Sequence, residues 1–469
     1  MLSIGGLLRA AWGRDDAASV PGLVGRAVAI SSAVALLAIG VTAAVPELLT
    51  HGEHQEHALW TASVAFTLLT MGFRRLARNE LGAYQTVTLV AGLVLVGVAR
   101  EIDVPTWDYA CYADAGRALA SGADPYAWAR GAPTLEGTRY LYSPLLANLF
   151  ALLERIPDRH LGDAPAYLVW TAVVYWAACA FVPLLLRVLN AIYGVPLAAS
   201  AGAALLLGTV STPVLRTMQY SQPNTLIADC LLGWLLVART REARGAGLLA
   251  LAAVLKTSPV VFFALPLVER RWRALAAGVA WCAGIVALSM ASIGTGPWVA
   301  FVKATPYIRT FGQHRDNSIA SFLDACGHLA GVRAETAAHV GGLLLGAALL
   351  VAIAWRTKAH WPWTPRMPPP AGTTERQFPA LLVAMCLLSP LLWEHHWVWA
   401  ALPVALIVSA AVGEGRGLAA SVGACLVFFV PTFDAFPFSY HRLAGLLLVI
   451  ASAMKLDRGE GKNAPGRPS

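Results

Sequence analysis

The chain has 469 residues, 57% of them hydrophobic and 13% charged, against about 25% charged in an ordinary soluble domain; this excludes a soluble globular protein with a conventional polar surface. A net charge of +8 would suit nucleic acid, but the Lys and Arg stand in short clusters between apolar runs and form no single basic face, which excludes that partner. A helical span needs about 20 apolar residues and about 12 such runs consume most of the sequence, so the expected fold is an all-α polytopic membrane protein with no large soluble domain.

In chain order, residues 1–23 form a cytoplasmic N-terminal segment carrying Arg9 and Arg14. The first apolar run continues well past signal-peptide length without a cleavage site, so its span is expected to be retained. Spans are expected at 24–49, 58–78 and 81–99, and Arg74, Arg75 and Arg78 make the turn before the third cytoplasmic. The segment 100–162 then lies outside. Further spans are expected at 164–187, 194–212 and 222–239, the last running into Arg239, Arg241 and Arg244 on the inner side. Residues 246–268 are apolar but have basic clusters at both ends, Arg270, Arg271 and Arg273 following. Lys256-Thr257-Ser258-Pro259 interrupts them, because proline removes a backbone donor and clashes with the preceding turn. This reads as a re-entrant helical hairpin whose freed backbone must be buried in protein or face water.

Spans follow at 272–293, 339–356, 378–393, 396–412, 417–433 and 441–455, and their basic ends fall on one side. The transmembrane domain is thus 24–455, with outer segments 100–162, 294–338 and 389–397, a Pro-rich cytoplasmic linker at 357–377 and a cytoplasmic tail at 456–469. Of the seven cysteines, Cys111 and Cys326 fall in outer segments, where pairing is open; the rest are scattered with no metal-ligand spacing. No internal repeat of the kind used by inverted-repeat transporters is evident.

Chemistry concentrates in the outer segments. Asp108 opens a surface helix in which Asp108, Tyr112, Ala115 and Leu119 share one face and Asp114 and Arg117 another. Asp108 is therefore either a helix N-cap or a carboxylate aimed where the apolar face docks. Asp103 and Asp124, each near a proline, read as turn residues. Met218-Gln219-Tyr220-Ser221-Gln222-Pro223-Asn224 gathers amides and hydroxyls that suit either sugar hydroxyls or a frayed helix start. Lys256, inside the hairpin, costs on the order of 3 kcal/mol at bilayer depth and either binds an anion or snorkels to a headgroup. Whether it reaches an outer site is open. Arg309, His314, Arg315, Asp316, Asn317 and Ser318 form a polar cluster with two guanidiniums suited to phosphate, or a solvated loop. In Trp393-Glu394-His395-His396-Trp397, aromatic residues are an ordinary interfacial belt, whereas paired histidines can donate to phosphate or move a proton. As metal ligands they fit poorly, since helix neighbours diverge by about 100°.

Taken together, Asp108 with Tyr112, Asp124-Pro125-Tyr126, Tyr142-Ser143-Pro144, Gln222 with Asn224, Lys256 with Pro259, Asn317-Ser318 and Ser389-Pro390 followed by Trp393 and His395-His396 resemble glycosyltransferase family 87. The resemblance covers most of residues 80–455. It implies a GT-C type fold and inverting transfer of a sugar, mannose or alternatively arabinofuranose, from a polyprenyl-phosphate donor to a glycolipid or glycan hydroxyl on the outer face of a cell membrane. It implies Asp108 as base and no obligatory metal. Tyr112, Tyr126, Tyr142, Gln222, Asn224, Lys256, Arg309, Arg315, Asn317, Glu394, His395 and His396 are the implied donor or acceptor contacts, with Glu394 the alternative base. Two positions depart from the family pattern: Ser221 stands where glycine is expected and Ser143 where proline is common. The competing class is a polytopic transporter or lipid flippase, which would need mid-membrane ionisable residues such as Asp229 and Lys256.

Overall fold

The computed structural model describes residues 91, 107–130, 139–153, 155, 164–238, 240–307, 316–332, 335–356, 373–415, 417–433 and 435–456. The three expected N-terminal spans (residue 91 apart), Arg309, Arg315, most of the Pro-rich linker and the C-terminal tail lie outside them. Described residues of Ile102–Leu184 and Arg216–Arg309 form one compact unit, and those of Met1–Glu101, Leu185–Leu215 and Thr310–Ser469 form another.

The described residues are helical: α1 (Trp107–Ala120), α2 (Pro144–Leu153), α3 (Ala164–Arg187), α4 (Leu197–Thr209), α5 (Thr212–Gln219), α6 (Asn224–Val237), α7 (Glu242–Leu255) and α8 (Ala264–Val268). They continue as α9 (Trp272–Ile293), α10 (Gly296–Ala304), α11 (Ile319–Leu329), α12 (Glu335–Arg356), α13 (Thr373–Leu387), α14 (Ala401–Gly413), α15 (Gly417–Phe428) and α16 (His441–Leu456). The only extended pairing among them is one bridge between Asp316 and Trp393.

Five described helical stretches are long and apolar enough to cross a membrane: Val169–Ile192, Leu197–Gln219, Trp272–Ile293, Glu335–Ile353 and Glu394–Gly413. Several of the about 12 runs read from sequence yield helices shorter than the roughly 20 residues a span needs, among them the 14-residue α6 and the 12-residue α15. Hydropathy registers where apolar residues lie and not where turns such as Gln222-Pro223 stop the backbone ladder. The outward faces of the long helices suit lipid: Trp281 and Leu288 on α9 are 52% and 76% exposed, and Leu344 on α12 is 67% exposed.

In the unit built from Ile102–Leu184 and Arg216–Arg309, the helical hairpin read from sequence is present. Helix α7 rises about 21 Å over its 14 residues and stops at Lys256, whose backbone is extended. The chain returns as a 3-10 turn, Ser258–Phe263, with Pro259 at its start, and then as α8. At the base, Arg271 Nε donates to Glu242 Oε1 at 3.0 Å and the same guanidinium donates to the Ala238 carbonyl. The basic ends therefore gather where α6 ends and α7 and α9 begin, and Lys256 stands at the opposite tip. Gly278 lets the returning arm lie against α9, since a Cβ there would come 2.4 Å from Phe263 Cε1.

The same unit holds an aromatic core between α1, α2 and α3. Tyr109, Tyr112, Tyr126, Tyr140, Phe150 and Trp170 are buried, with rings meeting mainly edge-on or tilted, as between Tyr109 and Phe150 at 5.7 Å. Each such ring contributes on the order of 1.5–3 kcal/mol. Helix α1 approaches α2 closely at Gly116, where a Cβ would meet Phe150 Cβ at 2.7 Å and the Ala151 nitrogen at 2.8 Å.

In the other unit, Ser318 caps α11 by accepting from the Ser321 amide at 3.1 Å, a contact worth about 1 kcal/mol. Fully buried Arg442 donates to Thr432 Oγ1 at 2.8 Å and to the Val430 carbonyl at 3.0 Å, so its charge is spent inside the fold. Cys111 and Cys326 are both free thiols.

Candidate active site

Asp108 lies in the first turn of α1, which begins one residue earlier at Trp107. Its carboxylate engages a different part of the chain: Gln222 Nε2 donates to Asp108 Oδ2 at 2.5 Å, across 114 residues of sequence. The expected face of α1 is borne out, with Tyr112 and Ala115 buried and Leu119 against the core. Asp114 and Arg117 form an ion pair.

Gln222 is set in place by the turn between α5 and α6. Ser221 has φ +52°, the left-handed conformation that glycine adopts without penalty and other L-residues avoid. The Ser221 carbonyl accepts from Trp170 Nε1 at 2.8 Å, and the Gln222 amide donates to the Thr217 carbonyl at 2.8 Å. The side-chain carbonyl of Gln222 accepts from the Tyr142 hydroxyl. Tyr142, Gln222 and Asp108 thus form a continuous chain of side-chain hydrogen bonds.

Lys256 at the hairpin tip reaches the same cluster. Its ammonium lies 3.3 Å from Asn224 Oδ1 and 5.1 Å from the centre of the Tyr142 ring, within reach of a cation–π contact. Burial drives the Asp108 carboxyl up from its usual 3.8 to about 6, and the Gln222 hydrogen bond and the Lys256 charge oppose that rise. Near neutral pH the carboxylate is mostly ionised yet basic enough to take a proton. Burial pushes the Tyr142 hydroxyl far above the usual phenol range, so it remains a donor.

The tyrosines read as ligand contacts divide. Tyr112 is 1% exposed and sits in the aromatic core, edge-on to Tyr142 at 5.3 Å. Tyr126 is equally buried, and its hydroxyl donates to the Tyr142 carbonyl at 2.7 Å. Tyr140, not singled out from the sequence, donates to the Ser143 carbonyl at 2.6 Å and accepts from the Ala147 amide at 2.8 Å. Trp128 Nε1 donates to the Tyr140 carbonyl at 3.1 Å. Tyr126, Tyr140 and Trp128 hold the backbone that carries Tyr142. Asp124 Oδ1 accepts from the Tyr126 amide at 2.8 Å, the turn expected of an Asp-Pro pair.

The second polar region lies in the other unit. Asp316 Oδ1 accepts from the amides of Ser318 and Leu392, each at 2.9 Å, and the Asn317 amide donates to the Leu392 carbonyl at 2.9 Å. Glu394, His395 and His396 begin a 3-10 helix, Glu394–Ala400, and are all buried. The His395 and His396 rings stand 4.5 Å apart at 84°, and His396 stacks on Trp399 at 5.1 Å. The histidine rings diverge as neighbours on a helix must. Their burial differs from the boundary position read from sequence, where an aromatic-rich polar turn carries no information about what packs over it. Among the described residues, no three His, Cys, Asp or Glu side chains gather in a way that could hold a metal ion.

Residues 140–390, more than half of the chain, match the model of glycosyltransferase family 87. The chain belongs to this family. Two curated relatives from Mycolicibacterium smegmatis (strain ATCC 700084 / mc(2)155) are similar over part of their length. One, a polyprenol-phosphate-mannose-dependent alpha-(1-2)-phosphatidylinositol pentamannoside mannosyltransferase, is 28% identical over 202 residues, covering 41% of this chain and 44% of the relative. The other, a polyprenol-phosphate-mannose-dependent alpha-(1-2)-phosphatidylinositol mannoside mannosyltransferase, is 29% identical over 210 residues, covering 44% of this chain and 45% of the relative. The match to each spans under half of that relative's length.

The family 87 match takes in Tyr142, Gln222, Asn224, Lys256, Arg309, Arg315 and Asn317. It begins after Asp108, Tyr112 and Tyr126 and ends before Glu394, His395 and His396. The departure at Ser221 has a physical meaning: glycine suits that position because the backbone there is left-handed. Helix contacts such as Gly116 and Trp170, which place the site without touching it, had no signal in the sequence beyond being a small and a large apolar residue.

Proposed function

We propose that this family 87 chain transfers a mannosyl group from a polyprenyl phosphate to a hydroxyl of a phosphatidylinositol mannoside or a similar glycolipid, with inversion at the anomeric carbon. The observation that carries the reading is the convergence of Asp108, Gln222, Asn224, Tyr142 and Lys256 on one cluster within a single unit. The acceptor oxygen attacks C1 of the sugar as the bond from C1 to the phosphate oxygen breaks. Asp108 takes the acceptor proton. The polyprenyl phosphate departs as an anion and needs charge more than a proton; Lys256 supplies charge at the site end. The reading needs no metal, and its fold is of the GT-C type.

The non-cytoplasmic placement rests on charge. Arg271 and the basic residues around α7 lie at the base of the hairpin, and Lys256 lies at its tip. The two ends are separated by about 21 Å, a large part of a hydrocarbon core about 30 Å thick. Basic ends tend to stay inside, which supports an outer-leaflet position for the Asp108 cluster; the cytoplasmic termini of this reading rest on the same rule applied to the sequence alone.

A flippase is the second reading. It draws on Asp229, which is buried on α6 with no hydrogen-bond partner for either carboxylate oxygen among the described residues. Vesicles containing the full chain, radiolabelled polyprenyl-phosphate mannose and a phosphatidylinositol mannoside separate the two. Transfer makes a labelled glycolipid with a new glycosidic bond, and Asp108→Asn abolishes it with donor binding retained. Label that only crosses the bilayer, or an Asp108→Asn variant with wild-type turnover, overturns the proposal.

A further inference from the structure

We infer that Gln222 and Tyr142 are positioning residues: Tyr142 locks the Gln222 amide so that its N–H aims Asp108 and leaves the carboxylate's other oxygen, Oδ1, to receive the acceptor proton. The inference rests on Asp108 being the base, as proposed above.

An amide side chain has a donor end and an acceptor end, and its partners decide which way it points. An ionised carboxylate only accepts, so the end of Gln222 at Asp108 must be the NH2 group and the opposite end, which accepts from the Tyr142 hydroxyl, the carbonyl. The NH2 end then faces Asp108 Oδ2 at 2.5 Å. Gln222 is 2% exposed and is held by its own backbone bond to Thr217 and by the turn that Trp170 grips at Ser221. Tyr142 is held by Tyr126 through its backbone carbonyl. The amide is therefore fixed at both ends and has no room to act as a mobile ligand. Asp108 itself is partly exposed, and among the described residues Oδ1 makes no hydrogen bond, so one oxygen is pinned and the other remains available.

The groups facing Asp108 are Tyr112 on its own helix, Tyr142 from the loop before α2, Gln222 from the turn before α6 and Lys256 from the hairpin tip. Of these, Gln222 and Lys256 favour the carboxylate, and only Gln222 does so through a directed hydrogen bond. Loss of that bond has two separable consequences: a base harder to ionise and a base less well aimed.

The test is steady-state transfer by the full chain in vesicles, with polyprenyl-phosphate mannose and a phosphatidylinositol mannoside, followed as kcat and KM from pH 5 to 9. For Gln222→Leu, kcat falls about 10- to 100-fold, as expected for a misplaced catalytic group, while the donor KM stays within about twofold. The acidic limb of the profile moves up by about one pH unit, the equivalent of one hydrogen bond. Gln222→Glu moves the limb further in the same direction, because a second carboxylate opposes ionisation. Tyr142→Phe keeps the ring that packs beside Tyr112 and Lys256, removes only the hydroxyl, and moves the limb the same way by less. This variant keeps the inference testable if Gln222 variants fold poorly.

A donor KM that rises tenfold with an unmoved limb makes Gln222 a substrate ligand and overturns the inference. So does a uniform loss of rate that tracks a lower melting temperature at unchanged profile. Full turnover by Asp108→Asn rejects the catalytic reading itself. An inactive Asp108→Asn beside an unshifted Gln222→Leu profile rejects the positioning role alone.

Discussion

The two polar regions contain similar residue types and use them differently. Around Asp108 the polar groups bond to one another: side chain to side chain from Tyr142 through Gln222 to Asp108, and from Lys256 to Asn224. Around Asp316 they bond to backbone: Asp316 holds two amides, and Asn317 pairs with Leu392 through its main chain. The Asp316 carboxylate ties two segments of backbone together. At Asp108 the half-buried carboxylate is held by a single oriented amide, and burial raises its proton affinity. The difference sets the proposed site apart from a backbone clasp, although both look alike in the sequence as polar segments carrying Asp and Asn.

The largest effect expected from this contrast is at Asp108. Asp108→Asn lowers transfer by about 10²- to 10⁴-fold, measured with labelled donor, and leaves the purified chain folded. Next is Asp316→Ala, which orphans the amides of Ser318 and Leu392 and lowers stability by about 2–3 kcal/mol, read from thermal unfolding. If Asp316→Ala instead silences turnover in a chain that melts normally, the clasp is part of the catalytic machinery and the contrast fails.

Lys256→Met comes third. It raises the donor KM about tenfold, the scale of one charged contact to phosphate, and moves the acidic limb of kcat/KM upward, because the positive charge that favours the Asp108 carboxylate is gone. In the wild-type chain that limb lies near pH 6, with rate increasing as pH rises and Asp108 ionises. Stability runs the other way. The folded value of about 6 exceeds the usual 3.8, so the contribution of Asp108 is fully present below pH 3.8 and is lost as pH rises through 6. The difference in melting temperature between Asp108→Asn and wild type therefore increases across that window, and a flat difference contradicts it. The smallest effect is at Ser221, where Ser221→Gly relieves a left-handed residue and stabilises by about 1 kcal/mol.

The helical hairpin was legible because its two signals are local: Pro259 must break a helix, and arginine clusters at both ends must share a side. The Asp124 turn and the buried face of α1 were legible for the same reason. The partners of Tyr126 and Gln222 within the fold were not. The sequence marks both as contacts for substrate, and it carries no sign that the Tyr126 hydroxyl holds a carbonyl or that the Gln222 amide spans from Tyr142 to Asp108. A donor or acceptor in the sequence says what it can bond, and only its neighbours in space say what it does bond.

Composition and periodicity alone determined that this protein is helical and apolar, and that Asp108 sits on a helix with one buried face in a polar segment. Those properties follow from residue spacing along one element. Tertiary structure decided that Lys256 at a hairpin tip meets Asn224 and the Tyr142 ring, and that Asp108 is gripped by Gln222 from across 114 residues. Such meetings depend on where a left-handed serine turns the chain and where a glycine lets two helices touch, and no period along the sequence encodes the distance between their ends.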